Sequence, residues 1–139
     1  MCDHKPVYKP APILVKEGAL FKRGGGTSYF GRRNWKRRYF TLTTSDLLYV
    51  DACSGKLKGC MDISTCGQDA LEIQPDDCPK TGSSDATVWR LAIQAPHRRL
   101  FVAAATENEM LAWANAFLKV FKANERDHPA QCTLIKAIE

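Results

Sequence analysis

The stretch TENEMLAWANAFLKVFK (Thr106–Lys122) changes the period of the chain. Met110, Trp113, Ala114, Phe117, Leu118 and Phe121 recur at the three- and four-residue spacing that places side chains on one face of an α-helix. Thr106 followed by Glu109 has the capping-box pattern, in which the threonine hydroxyl takes a free amide of the first turn. Glu107 and Glu109 near the start, and Lys119 and Lys122 near the end, suit the helix dipole. The spacing predicts one amphipathic helix over 106–122, with Trp113 in its buried stripe.

Nothing upstream shares that period. KEGALFKRG (16–24), WKRRYFTL (35–42), LLYVDA (47–52), LKGCMDI (57–63), ALEIQ (70–74), TVWRLAIQ (87–94) and RRLFVAAA (98–105) read as short strands. Gly-, Ser-, Asn-, Asp- and Pro-rich segments separate them. Seven strands with turn signals about every ten residues predict an antiparallel sandwich or barrel. The expected organisation is an extended Pro-rich arm over 1–14, a domain over 15–122, and a tail over 123–139 with a final helical turn.

One strand breaks the simple pattern. In NWKRRYFTL (34–42), Lys36 and Arg38 share a face with Phe40 and Leu42, which read as core. A solvated edge that discourages aggregation is one reading of such cations. The wider charge pattern offers another. Residues 1–60 carry twelve Lys/Arg against four Asp/Glu, and residues 61–139 carry eight against eleven. A chain this lopsided suits one basic end meeting an anionic surface.

Bulk composition excludes several classes. The chain has 139 residues, of which 45% are hydrophobic, enough for the core of one domain. No apolar run approaches the roughly 18 residues of a membrane span, and no signal-peptide pattern is present. Cys2, Cys53, Cys60, Cys66, Cys78 and Cys132 form no Cys-x-x-Cys pair. Free thiols in a reducing, cytoplasmic setting are the expectation. His4, His97 and His128 are isolated, and no nucleophile–base pair, metal set or cofactor motif is visible. A non-catalytic protein without a cofactor is expected.

Seven strands closed by one helix with a Trp on its apolar face resemble the pleckstrin homology (PH) domain family. The resemblance runs from about Val15 to Lys122 and rests on KEGALFKRG, WKRRYFTL and TENEMLAWANAF in order. It implies a seven-stranded, partly open antiparallel barrel or sandwich capped by the C-terminal helix. The mouth of that barrel answers the question of the strand. Phe40 and Leu42 lie in the core, while Lys36 and Arg38 reach the open rim.

In members that bind phosphoinositides, a Lys at the end of the first strand is followed, after a variable loop, by Lys-x-Arg. Here that is Lys22, thirteen intervening residues, then Lys36-Arg37-Arg38. Tyr49 and Lys58 match two further headgroup positions, and the hairpin near His97 and Arg98 supplies contacts that the sequence does not place. Tyr29 and Phe30, flanked by Arg32 and Arg33, have the chemistry of a loop that touches the headgroup layer. The resemblance thus implies a peripheral membrane module binding anionic lipids, phosphoinositides among them. A protein- or peptide-binding adaptor on the same fold is the alternative, and an exposed groove between the helix and its neighbouring strand would favour it. Nucleic acid is not an expected partner, because the cations gather at one mouth instead of along a backbone path.

Overall fold

The computed structural model describes residues 11–24, 35–78 and 86–129. Seven strands follow in chain order: β1 Leu14–Arg23, β2 Trp35–Thr43, β3 Asp46–Asp51, β4 Leu57–Asp62, β5 Leu71–Ile73, β6 Arg90–Ala95 and β7 Arg98–Ala103. They form one antiparallel sheet in the order β4-β3-β2-β1-β7-β6-β5, so β4 and β5 are its edges. A single helix, α1, spans Glu107–Asp127. This is the seven-stranded open sheet with one closing helix expected above.

Along β2 the inner face grades from water to core. Lys36 is exposed, Arg38 half-buried, and Phe40 and Leu42 are fully buried. β1 pairs with β2 along nearly its whole length but with β7 only at Phe21 and Lys22. The gap that this splay leaves is covered by α1. Trp113, Phe117 and Phe121 pack there against Leu20, Phe40, Leu91, Ile93, Leu100 and Val102. The Thr106 hydroxyl accepts a hydrogen bond from Glu109 N at 3.1 Å, the expected cap. A second, smaller cluster lies apart from this core, built on Trp35, Cys78, Ala86 and Ala103.

Three boundaries differ from the sequence reading, each for a local reason. The helix continues through Asp127 instead of ending at Lys122. Asn124 donates from Nδ2 to the Ile63 and Cys66 carbonyls, and Glu125 accepts from the Gln68 amide and side chain. β5 is short because a 3₁₀ turn occupies Gln68–Ala70 and Gln74 turns left-handed, φ 55°. β6 begins at Arg90 instead of Thr87. The Thr87 hydroxyl bonds the Ala104 carbonyl and accepts from Trp89 N, replacing ladder bonds with side-chain ones. The expected membrane-contact residues Tyr29, Phe30, Arg32 and Arg33, with most of the arm and tail, lie outside the described residues.

Candidate functional site

Three strands carry the same signature at the mouth of the sheet. Each places a cation two residues from a buried apolar side chain on the inner face: Lys22 beyond Leu20, Arg38 before Phe40, Arg98 before Leu100. β1 ends at this mouth, whereas β2 and β7 begin there. The register places Lys22 directly opposite Lys36, and Leu20 opposite Arg38. Facing like charges are unfavourable unless something negative lies between them.

Tyr49 is the floor of the group. Its ring is buried against Phe40, with centroids 5.2 Å apart. The Lys22 ammonium stands 5.1 Å from that ring's centroid. The Arg98 guanidinium lies 6.0 Å from it and donates to the phenol oxygen at 3.1 Å. Burial first, then the charges of Arg98 and Arg38, push the Lys22 pKa down to about 8. Arg38 is oriented by Asp51 at 3.2 Å. The Asp51 carboxylate accepts from the Ser54 and Cys53 amides, which hold it below the usual carboxylate range, with Arg38 adding to the effect.

The structure therefore brings Lys22, Arg38 and Tyr49 together, with Lys36 across the hairpin from Lys22. Lys58 stands apart. The pairing slips between Tyr49↔Gly59 and Val50↔Leu57, which leaves Lys58 as the extra residue of a bulge, exposed at the sheet edge. Arg98 is the residue that sequence reasoning left unplaced. Its signal was the alternation Arg98, Leu100, Val102, the same inner-face logic that marked Arg38.

Gly59 sets the height of the floor. A β-carbon there would overlap the Tyr49 phenol. Gly59→Ala is expected to lower stability by about 1–3 kcal/mol, as overpacking does. It also pushes the phenol away from Arg98. Urea unfolding checks the first effect, and an unchanged midpoint would contradict this packing.

Among the described residues, Lys22 and Arg98 thus gather at an aromatic floor, with Lys36 across the hairpin from Lys22 and Arg38 held by Asp51. The arrangement can grip a compact polyanion. Among the described residues, no group of His, Cys, Asp and Glu could hold a metal ion. No described helix is long and apolar enough to cross a membrane.

Comparison with known proteins agrees with the architecture. Bovine Ras GTPase-activating protein 3 is 30% identical over 125 residues, covering 89% of this chain. The Drosophila protein daughter of sevenless is 30% identical over 111 residues, covering 75% of it. The chain spans only 14% and 12% of those two proteins. Among solved structures, the C-terminal PH domain of pleckstrin in complex with D-myo-Ins(1,2,3,5,6)P5 superposes with a TM-score of 0.57 at 23% identity. That match covers 79% of this chain and 97% of the other. The C-terminal PH domain of human pleckstrin in solution gives 0.58 at 21% identity, covering 86% and 90%. The PH domain family model matches residues 14–122, from the first residue of β1 into α1, and with this sheet and closing helix the chain belongs to the PH domain family.

Proposed function

We propose that this PH domain binds phosphoinositide headgroups through Lys22, Lys36, Arg38, Tyr49 and Arg98, and so places its protein reversibly at cytoplasmic membrane surfaces. The observation that carries this reading is the meeting of Lys22 and Arg98 at Tyr49, with Arg38 near enough that both arginine charges add to burial in lowering the Lys22 pKa. Phosphomonoesters on an inositol ring offer several strong acceptors to such donors. A structural neighbour in complex with an inositol pentakisphosphate supports the same chemistry. Tyr29, Phe30, Arg32 and Arg33 join the proposal as membrane contacts on their sequence chemistry, and Lys58 as a peripheral cation.

Charge-assisted hydrogen bonds contribute roughly 1.5–3 kcal/mol each. Four or five of them, set against an association cost of at least about 4 kcal/mol, give a headgroup Kd around micromolar. The test compares phosphatidylcholine vesicles containing a phosphatidylinositol bisphosphate with vesicles of equal charge made with phosphatidylserine. A preference of about tenfold or more is expected. Equal binding to both would overturn the reading.

The affinity also carries a pH signature. Near pH 7 Lys22 is charged; above about 8 the empty site loses that proton, which a bound polyanion must restore. Binding therefore weakens as the pH rises from 7.5 toward 9.5, on the order of tenfold for one recharged group. A flat profile would exclude Lys22 as a contact.

A peptide-binding module is the second reading, and one observation favours it. A groove of about 260 Å³ runs between β1 and α1, lined by Lys16, Gly18, Arg37, Glu109 and Trp113 among others. The vesicle comparison separates the two readings, since this groove has no reason to prefer a phosphoinositide.

A further inference from the structure

Lys56, Lys58, Lys119 and Lys122 are exposed, whereas the Lys22 amine is half-buried at the end of β1. Its Nζ stands 5.1 Å from the centroid of the Tyr49 ring and donates to the Arg23 carbonyl at 3.3 Å. The ion pairs among the described residues engage Arg38, Arg99 and Arg126, and none includes Lys22. The charged groups around it are of its own sign: Arg38 and Lys36 from β2, and Arg98 from β7. From β3, Tyr49 lies beneath it, and the Asp51 carboxylate is turned to Arg38.

An amine held in this way is a nucleophile. With its pKa brought down to about 8, about a fifth of Lys22 is unprotonated near pH 7.4, against about one part in a thousand for an ordinary lysine. Lysines lowered by burial and neighbouring cations attack electrophilic carbon. The neighbours then select the electrophile. A plain acetyl group would leave a neutral amide, which the surrounding cations have no use for. A product that turns the nitrogen substituent into an anion meets Arg98, Arg38 and Lys36 as charge-assisted donors. Carbon dioxide gives such a product and is small enough to reach a half-buried amine.

We infer that Lys22 is a carbamylation site, at which carbon dioxide adds to Nζ and the resulting carbamate is held among Arg98, Arg38 and Lys36. The lone pair of the neutral amine forms a C–N bond to carbon dioxide. One C=O π bond opens in the same step to give the carboxylate, and the nitrogen releases its proton to solvent. Nothing is oxidised or reduced. The side chain passes from a cation to an anion, which gives the facing charges of Lys22 and Lys36 opposite signs.

The consequence for binding rests on the phosphoinositide reading of the same mouth. A carbamate takes up the donors that a headgroup phosphate would use and repels it by its own charge. Carbon dioxide and the headgroup then exclude each other at Lys22, and membrane attachment loosens as carbon dioxide rises. The modification itself needs no lipid.

The test incubates the full chain with isotopically labelled bicarbonate and carbon dioxide at fixed pH and ionic strength. Triethyloxonium then alkylates any carbamate to a stable ethyl ester, which mass spectrometry locates. Labelled adduct is expected on Lys22 at about tenfold or more the level on exposed Lys56, Lys58, Lys119 and Lys122. Lys22→Arg is expected to abolish it. Arg98→Gln, at an exposed position that spares folding, is expected to lower it about tenfold, through a less nucleophilic amine and a lost partner for the anion. Adduct on Lys22 at the level of the exposed lysines, or unchanged in Arg98→Gln, overturns the inference. In a second arm, affinity for phosphatidylcholine vesicles containing a phosphatidylinositol bisphosphate is expected to fall about twofold when half of Lys22 is trapped. Whatever affinity Lys22→Arg retains is expected to ignore carbon dioxide. Adduct on Lys22 without phosphoinositide preference in carbon dioxide-free buffer removes only the lipid reading of the site.

Discussion

The double substitution Lys36→Ala/Arg38→Ala is expected to lower affinity for phosphoinositide vesicles by roughly two to four orders of magnitude while leaving the domain folded. Each lost charge-assisted contact is worth about 1.5–3 kcal/mol, and two of them give that range. The fold loses little in exchange. Lys36 is exposed, and the Arg38–Asp51 pair is partly exposed, where solvent screening keeps an ion pair's contribution to stability small. Removing Lys36 even relieves its opposition to Lys22 across the strand pair. Vesicle sedimentation and thermal melting of one preparation check both halves. Affinity within threefold of the parent would contradict the site. The substitution also removes one of the charges that depress Lys22, so the pH at which any residual binding fades moves upward.

Phe117→Ala attacks the core instead of the site. Phe117 has no solvent exposure and sits between Trp113 and Phe121, with ring centroids 5.9 and 5.8 Å away. Truncating a buried Phe removes its transfer free energy and leaves a cavity, together about 3–5 kcal/mol. Domains of this kind hold roughly 5–15 kcal/mol in all, so about a fifth or more of the stability goes. Urea unfolding measures the loss, with Leu111→Ala, half-exposed on the same helix, as the mild comparison. A loss below about 1 kcal/mol would mean that the helix is not packed as described.

Periodicity made most of this architecture legible. The helix start and the seven strands follow from side-chain spacing, which reflects which face is buried. The helix end did not, because Asn124 and Glu125 are tied to the connection after β4, a contact between segments far apart in sequence. The site divides in the same way. Lys22, Lys36, Arg38 and Tyr49 follow from strand alternation and the family pattern. Lys58 falls in a register slip, and alternation cannot be counted through a bulge.

The last turn of α1 acts as a latch, and it bears on how this module can be moved between proteins. A piece trimmed to the outline shared across the family would stop at Lys122 and strip the Ile63 and Cys66 carbonyls of their Asn124 donor. The self-closing unit is longer than that shared outline, and a graft needs the chain through Asp127 to shut properly.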